Sequence, residues 1–409
     1  MIIQPARRTA SVQEYYFSRK LKEIAALDRE KQAAGLPPVI NLGIGAPDGM
    51  PPAAAVETLC DSARQSDTHA YQSYTGIEAL RNAFADWYRR CYGVSLDPAC
   101  EIQPLAGSKE GILLTSLAFL DKGDGVLVPD PGYPTYTSAS RLAEARILTY
   151  ALQEERRWQP DFDALEAMDL SGVKIMWVNY PHMPTGAAAS PELFQRIVAF
   201  ALRHRILVVN DNPYSFILND RPLSILSVPR ARECCLELNS LSKAHNMSGW
   251  RIGMIAGERN LVAEVLKVKS QMDSGMFKPL QLAAVEALAQ GPEWFRALNA
   301  EYARRRILAG ELFDTIGAKY DPDSQGMFLW GRIGSGNPLA AETADGNEGK
   351  SLGERVSDAL LYRAGVFITP GFIFGQGGTD YVRVSLCAGP DVLRTARERI
   401  TNLIHCERS

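Results

Sequence analysis

Short apolar runs alternate with segments of helical periodicity along most of the chain. The apolar runs predict buried strands at residues 125–128, 147–150, 174–180, 206–211, 234–238 and 252–256. The periodic segments predict helices at residues 111–120, 191–204 and 261–271. This alternation is typical of an α/β fold with a doubly wound, mostly parallel sheet. The last strand follows its predecessor too closely for a helical crossover, which favours an antiparallel direction for it.

The pattern changes near residue 293. A long amphipathic helix is predicted at residues 293–316, strands at 327–333, 366–369 and 381–386, and further helices at 352–364 and 391–404. Residues 334–350, rich in Gly, Asn, Ala and Glu, are predicted to form an exposed loop. We therefore expect a large α/β domain at residues 45–290, a smaller α+β domain at 291–409, and an N-terminal arm at 1–44 that joins the smaller domain.

Composition narrows the function classes. The formal net charge of −3 gives no electrostatic case for binding nucleic acid or an anionic membrane. The chain shows neither a secretory signal nor an apolar run of about 18 residues. Its 7 cysteines include no C-x-x-C pair and its 5 histidines are scattered, so we expect reduced thiols and no metal site. A cytoplasmic protein is predicted.

The most informative residue is Lys243, which follows a predicted strand in the stretch Leu-Asn-Ser-Leu-Ser-Lys. Ser240 and Ser242 precede it, and Arg251 follows it. A lysine that forms a Schiff base needs partial burial to stay nucleophilic, and a phosphate beside it needs hydroxyl and guanidinium donors. Alone the motif is weak, because most lysines near serines are solvated surface residues.

A second candidate is the small-residue turn at residues 106–111, which contains Ser108 and Lys109 and leads into a helical segment. The free N–H groups and the positive dipole end of a helix start suit a phosphate. An ordinary helix capped by Ser108 is an equally good interpretation.

Two further turns follow predicted strands. Asp211 ends one strand and Tyr214 comes soon after it, so the acid could pair with a cationic ring nitrogen; an ordinary Asx-turn is the alternative. Tyr133 lies in a proline-rich turn and could stack on a planar cofactor, although plain packing is more common.

Two other segments are ambiguous on their own. The turn at residues 180–186 contains two X-Pro bonds, which makes a cis peptide plausible. Arg383 lies on an otherwise apolar strand, where it is either a clamp for a carboxylate or a solvated side chain. Without other context the solvated position is favoured.

Taken in order, these motifs resemble the fold-type I, pyridoxal-phosphate-dependent aminotransferases of class I/II over residues 41–397. The stretches at residues 42–45 and 107–109 resemble most closely the branch that contains LL-diaminopimelate aminotransferase. The resemblance implies a large domain with a mixed, mostly parallel seven-stranded sheet and a smaller α+β domain. It also implies pyridoxal 5'-phosphate as cofactor, amino-acid and 2-oxo-acid substrates, and a homodimer with shared active sites.

The same resemblance implies roles for individual residues. Lys243 would form the Schiff base and move the substrate α-proton, and Asp211 would keep the ring nitrogen protonated. Tyr214 would donate to the ring oxygen, and Tyr133 would stack on the ring. The implied phosphate ligands are Ser108, Lys109 (through its backbone amide), Ser240, Ser242, Arg251 and, from the neighbouring subunit, Tyr71. The implied substrate contacts are Arg383, which would clamp the α-carboxylate, Gly45 and Tyr15.

One position departs from the family pattern. The asparagine that usually precedes Pro-Thr-Gly and binds the ring oxygen is Met183 here, and a thioether cannot donate a hydrogen bond. The ring oxygen would then depend on Tyr214 or a water, and the pKa of the Schiff base should shift. His182 could compensate, but a surface histidine is the favoured interpretation.

The leading hypothesis is an amino-acid:2-oxo-acid aminotransferase. The alternative is a carbon–sulfur β-lyase on the same scaffold, and a silent cofactor-binding regulator is a weaker one because no long DNA-binding segment precedes the core. A dinucleotide-dependent dehydrogenase lacks its G-x-G-x-x-G motif. Residues 267–278 would approach the substrate side chain, where Lys278 could favour an acidic group and Met276 with Phe277 an apolar one. A buried stem with a solvated ammonium is the preferred interpretation of Lys278.

Overall fold

The structure, a computed structural model, describes residues 2–12, 14–341 and 349–408. Its strands are β1 (Ile40–Asn41), β2 (Ile102–Leu105), β3 (Gly125–Asp130), β4 (Arg146–Ala151), β5 (Val173–Val178), β6 (Leu207–Asp211), β7 (Cys235–Ser240), β8 (Gly253–Gly257), β9 (Lys319–Tyr320), β10 (Phe328–Arg332), β11 (Val366–Phe367), β12 (Thr369–Pro370) and β13 (Tyr381–Ser385). Its α-helices are α1 (Arg7–Ala10), α2 (Tyr16–Ala33), α3 (Ala53–Ala63), α4 (Glu78–Tyr92), α5 (Ser108–Phe119), α6 (Pro134–Leu142), α7 (Phe162–Glu166), α8 (Pro191–His204), α9 (Arg259–Lys269), α10 (Lys278–Leu288), α11 (Pro292–Thr315), α12 (Leu352–Ala359) and α13 (Pro390–Arg408).

Seven strands form one sheet in the order β2-β8-β7-β6-β5-β3-β4. The pairs from β7 through β6, β5 and β3 to β4 are parallel, whereas β8 is antiparallel to both β7 and β2. The predicted α/β class, the mostly parallel sheet and the antiparallel last strand are therefore confirmed. The edge strand β2 was not predicted.

Alternate side chains of the strands pack on opposite faces of this sheet. Val126 and Val128 of β3 belong to one hydrophobic cluster, and Leu127 between them belongs to the other. Because successive residues of a strand point to opposite faces, strands that are apolar throughout need cover on both sides. The helices that alternate with the strands cover both faces of the sheet. Because β3 to β7 run parallel, their carboxyl ends lie together at one edge of it.

A second, four-stranded sheet has the antiparallel order β12-β13-β10-β9. The first strand of the chain, β1, pairs in parallel with β11. The predicted strand at residues 366–369 is thus divided between two sheets, and the predicted helix at 352–364 is α12 followed by a π-helical turn at Leu360–Ala364.

Two sequence predictions concern segments beyond these strands. Within the predicted loop at residues 334–350, Pro338–Ala340 forms a short 3-10 turn, while residues 342–348 lie outside the described part of the chain. The limits of the two domains stay a prediction. In the described ranges, no helix is both long enough and apolar enough to cross a membrane.

Because two histidines are buried, we expect acid to destabilise the folded protein. His245 lies between the rings of Trp87 and Phe295, and neither of its ring nitrogens has a hydrogen-bond partner among the residues that the structure describes. Burial lowers the pKa of His245 to about 3, and burial does the same for His182. The unfolded chain binds protons at these positions below about pH 6.5, whereas the folded chain does not until about pH 3. The stability they contribute is therefore present above pH 6.5 and is lost as the pH falls toward 3.

We expect His245→Phe to reduce that acid sensitivity. At pH 4.5 the pKa difference at one histidine corresponds to about 3 kcal/mol, so the variant should retain roughly that much more of its neutral-pH stability. Denaturant unfolding from pH 7 to pH 4.5 measures the effect, and His69→Gln, at an exposed position, is the control. Parallel pH profiles for wild type and His245→Phe would contradict the prediction.

Candidate active site

One cavity of about 410 Å³ opens at the carboxyl ends of the parallel strands, where open α/β sheets bind ligands. Of the thirteen residues predicted for the site, Tyr71 is 91% exposed and lies elsewhere. The other twelve line the cavity: Tyr15, Gly45, Ser108, Lys109, Tyr133, Asp211, Tyr214, Ser240, Ser242, Lys243, Arg251 and Arg383.

The N-terminal turn of α5 forms one wall of the cavity. Gly107 precedes it with a φ of +82°, and a Cβ atom there would lie 2.1 Å from Nη2 of Arg251, so only glycine fits. The N-cap position is Gly107, and within the described part of the chain no side chain caps the helix. The interpretation of Ser108 as an ordinary N-cap is therefore wrong, and the helix presents its first-turn amides and its positive dipole end to the cavity.

Arg251 joins this turn to the serines that follow β7. Its Nη2 donates to the carbonyl oxygen of Ala106 at 3.2 Å, and its Nη1 donates to Oγ of Ser242 at 3.4 Å. Ser240 Oγ in turn donates to Ser242 Oγ at 2.8 Å. A guanidinium, two hydroxyls and a helix N-terminus thus converge, and this donor set suits a phosphate group.

Asp211 is a buried acid with an unused oxygen. Its Oδ2 accepts a hydrogen bond from the Tyr136 hydroxyl at 3.0 Å, rather than from the backbone of its own turn as an Asx-turn would require. Its Oδ1 is buried and has no partner among the described residues. Burial raises the pKa of Asp211 to about 6, against the hydrogen bond from Tyr136 that lowers it. Such a carboxyl group is suited to a cationic or N–H partner inside the cavity.

Lys243 is one of two lysines in this lining, and the other, Lys109, is exposed. Its Nζ donates to the carbonyl oxygen of Gly45 at 2.5 Å. Burial lowers the pKa of Lys243, which increases the fraction of neutral, nucleophilic amine. Gly45 must be glycine here, since a Cβ atom would lie 2.3 Å from Cζ of Phe328.

Arg383 is enclosed by aromatic rings. Its guanidinium carbon lies 3.9 Å from the ring centre of Phe328, 4.8 Å from that of Phe374 and 5.7 Å from that of Phe17. Its Nη2 donates to the Gly43 carbonyl at 2.7 Å, and its Nε has no partner in the described residues. Burial lowers the pKa of Arg383 to about 10, so it is a cation at neutral pH without a carboxylate, and it suits one from a ligand.

Two sequence interpretations are corrected by this arrangement. Arg383 is 4% exposed, so the solvated position is wrong: β13 is an interior strand of its sheet, and aromatic rings lie around the guanidinium. His182 is 3% exposed, and its Nδ1 lies 2.8 Å from Oγ1 of Thr185. The surface position expected for His182 is therefore wrong as well, because its turn folds inward against the sheet.

Several cavity residues were not identified from the sequence. They are Phe17, Ile44, Tyr136, Asn179, Met183 as a lining residue, Pro213, Ser248, Phe328 and Phe374. Asn179 and Tyr136 carried a usable signal, since each is a polar residue close to the end of a predicted strand. The phenylalanines carried none, because an aromatic residue in an apolar segment usually means core packing.

Comparison with known proteins gives consistent findings. The pattern of the family "Aminotransferase class I and II" matches residues 37–400. The chain is 36% identical over 399 residues to a protein named LL-diaminopimelate aminotransferase from Dehalococcoides mccartyi, which covers 97% of this chain and 98% of that protein. A protein of the same name from Aquifex aeolicus is 38% identical, with 95% and 99% covered. Substrate-bound BacF from Bacillus subtilis has a TM-score of 0.89 at 31% identity, with 98% of each chain covered.

Proposed function

Since the chain belongs to the class I and II aminotransferases and is a pyridoxal-phosphate-dependent enzyme of fold type I, we propose that it transfers amino groups in the cavity described above. The observation that carries this proposal is the convergence of twelve predicted site residues on one cavity. The relatives support an aminotransferase of the LL-diaminopimelate branch, and none of those named above is a lyase.

The cavity fits pyridoxal phosphate on two independent grounds. The unpartnered Oδ1 of Asp211 and its raised pKa match a ring nitrogen that must be kept protonated. The convergence of Arg251, Ser242 and the α5 N-terminus matches the phosphate. Tyr133 lines the same cavity and would pack against the ring. When bound, the cofactor supplies an electron sink for the bonds at the substrate α-carbon.

The chain's own groups would divide the remaining work. Lys243, whose pKa is lowered by burial, would hold the cofactor covalently and then move the proton to and from the substrate α-carbon. Arg383 would bind the α-carboxylate, since its guanidinium has no carboxylate partner among the described residues. Asp211 would hold the proton on the ring nitrogen throughout.

The test is a half-reaction followed by visible absorbance. Amino acids are added one at a time to the cofactor-loaded protein, beginning with LL-diaminopimelate because the named relatives act on it. We expect the spectrum to change with at least one donor and the matching 2-oxo acid to appear in equal amount. A spectrum that no donor changes would contradict the proposal, as would release of pyruvate with ammonia.

We also propose a homodimer. Tyr71, Tyr74, Met272 and Phe277 are exposed apolar side chains, and a Cβ atom on Gly275 would lie 2.5 Å from the Gln72 carbonyl oxygen, so the two segments that carry them are in contact. An exposed apolar patch of this kind is suited to a partner surface. A second copy would cover the patch and place Tyr71 at its neighbour's phosphate.

The exposed apolar patch also bears on residues 267–278, which were expected to approach the substrate side chain. Residues 267–278 do not line this chain's own cavity, so they would reach substrate only from a partner subunit. Lys278 is ion-paired with Asp67 at 3.3 Å, which argues against a role in binding an acidic side chain. A cytoplasmic location stays part of the proposal, supported by 7 cysteines without a disulfide bond.

Mixing two inactive variants tests the shared site. In a hybrid dimer of Lys243→Ala and Tyr71→Ala chains, one site carries both lesions and the other carries neither. We expect the unfolded and co-refolded mixture to recover about a quarter of wild-type activity, because half of randomly assorted C2 dimers are hybrids with one intact site. Activity no higher than the mean of the two variants would contradict the proposed dimer.

A further inference from the structure

The Gly45 loop (residues 42–48) is held against β13 at its beginning. The backbone amide of Ser385 donates to the carbonyl oxygen of Leu42 at 2.8 Å. Nη2 of Arg383 donates to the carbonyl oxygen of Gly43 at 2.7 Å. Because Ser385 and Arg383 both belong to β13, the strand that carries the proposed carboxylate clamp also sets the position of this end of the loop.

Arg305 holds the other end of the Gly45 loop. Its Nη1 donates to Oδ1 of Asp48 at 2.7 Å and to the carbonyl oxygen of Leu386 at 3.2 Å. Leu386 directly follows β13. One guanidinium on α11 thus connects the end of the loop with the end of the strand, so that both ends of the loop are fixed relative to β13.

The guanidinium of Arg305 is itself held in one orientation. Its Nε donates to Oε1 of Glu301, one turn earlier on α11, at 2.8 Å. The side chain of Arg305 is 10% exposed, whereas that of Asp48 is 45% exposed. Exchange of a buried ion pair for apolar side chains is often neutral for the free energy of unfolding, so stability alone does not account for this pair. A planar fork with fixed donor directions does, because it sets the relative positions of its acceptors.

The same helix supports other segments that line the cavity. Nε1 of Trp294 donates to the carbonyl oxygen of Ala244, the residue after Lys243, at 2.8 Å. Nδ2 of Asn299 donates to the carbonyl oxygen of Phe216, in the segment that follows β6, at 3.0 Å. Polar side chains of α11 are thus joined by hydrogen bonds to three segments of the site, namely those after β6 and β7 and the Gly45 loop.

We propose that Arg305 is a positioning residue that fixes the distance between the Gly45 loop and Arg383, and thereby the space that receives the α-carboxylate of an amino-acid substrate. This inference rests on the proposed function. Arg305 is not among the described residues that line the cavity, so it acts on the substrate through its neighbours. Lys243 is carried by the segment after β7 rather than by a partner of Arg305. Loss of Arg305 therefore weakens substrate binding much more than it slows movement of the α-proton.

The concentration dependence of the half-reaction tests this inference with the best amino donor found. We expect Arg305→Met and Asp48→Ala each to raise the donor concentration that gives half the limiting rate by about tenfold, and to change the limiting rate by less than about threefold. Arg305→Lys, which keeps the charge but lacks the fork, should behave as Arg305→Met does. The double variant Arg305→Met/Asp48→Ala should be no worse than the more affected single variant, because both substitutions cut one connection.

Arg296→Met is the matched control, because Arg296 is an exposed arginine of α11 that pairs with Glu293. It should leave both kinetic quantities unchanged. A purely structural role for Arg305 would give a different result from the one expected. Loss of folded protein lowers the limiting rate per mole of protein and leaves the half-saturating concentration where it was.

Hydrogen–deuterium exchange of the cofactor-free proteins provides a readout that needs no activity. We expect the amides of residues 43–48 to exchange at least about threefold faster in Arg305→Met than in wild type, since one anchor of the Gly45 loop is gone. The amides of β8, which lies in the large sheet, should exchange as in wild type. The control variant Arg296→Met should leave both sets unchanged.

The outcomes separate this inference from the proposed function. A wild-type spectrum that no donor changes contradicts the proposed function, and the inference falls with it. A wild type that transfers amino groups, with a half-saturating concentration unmoved by Arg305→Met and Asp48→Ala, overturns the inference alone, as does unchanged exchange of residues 43–48. If Arg305→Met does not fold, Asp48→Ala cuts the same ion pair from its more exposed side, and it still has to raise the half-saturating concentration.

Discussion

Replacement of Lys243 by alanine is expected to lower amino-group transfer on the order of 10⁴-fold. The buried amine would serve as the covalent attachment point and as the group that moves the α-proton, and a positioned proton-transfer group alone contributes roughly 10²–10⁴-fold. Its Nζ is held by the Gly45 carbonyl at 2.5 Å, and no other lysine that lines the cavity is buried, since Lys109 is exposed.

The measurement is single-turnover absorbance with the best donor found. Lys122→Ala is the matched control, because Lys122 is exposed in the loop between α5 and β3 and should leave turnover unchanged. A small primary amine added to the Lys243→Ala protein should restore part of the proton transfer. Turnover within about tenfold of wild type would show that another group moves the proton.

Asp211→Asn is expected to lower transfer by about 10²–10³-fold while stabilising the cofactor-free protein. The loss follows because breaking a buried charge pair costs about 3–5 kcal/mol, and an amide cannot keep the ring nitrogen protonated. The gain in stability of the cofactor-free protein follows from the raised pKa of Asp211. The unfolded chain releases the Asp211 proton near pH 3.8, whereas the folded chain releases it near pH 6. Ionisation therefore destabilises the fold progressively from pH 3.8 to 6, by about 3 kcal/mol at neutral pH.

Two measurements together decide this prediction. Denaturant unfolding without cofactor should show Asp211→Asn more stable than wild type at pH 7, with the difference vanishing below about pH 4. The half-reaction with cofactor should be slow. A variant that is both unstable and inactive would point to a structural role for the carboxylate, and one that is fully active would exclude it as the partner of the ring nitrogen.

The sequence predicted the parts of the fold that depend on local pattern. Strands β3 to β8 could be recognised because each is a mostly apolar run between turns. Strand β2 was missed because Gln103 and Pro104 interrupt its run, and its burial comes from β8 and α4 rather than from its own composition. The division of residues 366–369 between two sheets depends on the arrival of β1, which no local pattern encodes.

The candidate site likewise contains some residues that the sequence could predict and others that it could not. The sequence could point to Lys243, Asp211 and Ser108 because each has a side chain that can react or hydrogen-bond and lies near the end of a strand or helix. The environment of Arg383 could not be predicted, because Phe17, Phe328 and Phe374 come from opposite ends of the chain and meet only in the folded protein. The inward position of His182 likewise depends on how its turn packs, since a histidine in a Pro-rich turn is usually exposed.

The pairing of β1 with β11 has a consequence for biosynthesis. Ribosomes release the chain from its N-terminus, so β1 must wait until β11 has been made before it finds its neighbour. Residues 102–257, which hold all seven strands of the large sheet, emerge well before that, together with Lys243, Asp211 and Arg251. A nascent chain should therefore form the strands around Lys243 and Asp211 first, and acquire Arg383, the proposed carboxylate clamp, only when translation is nearly complete.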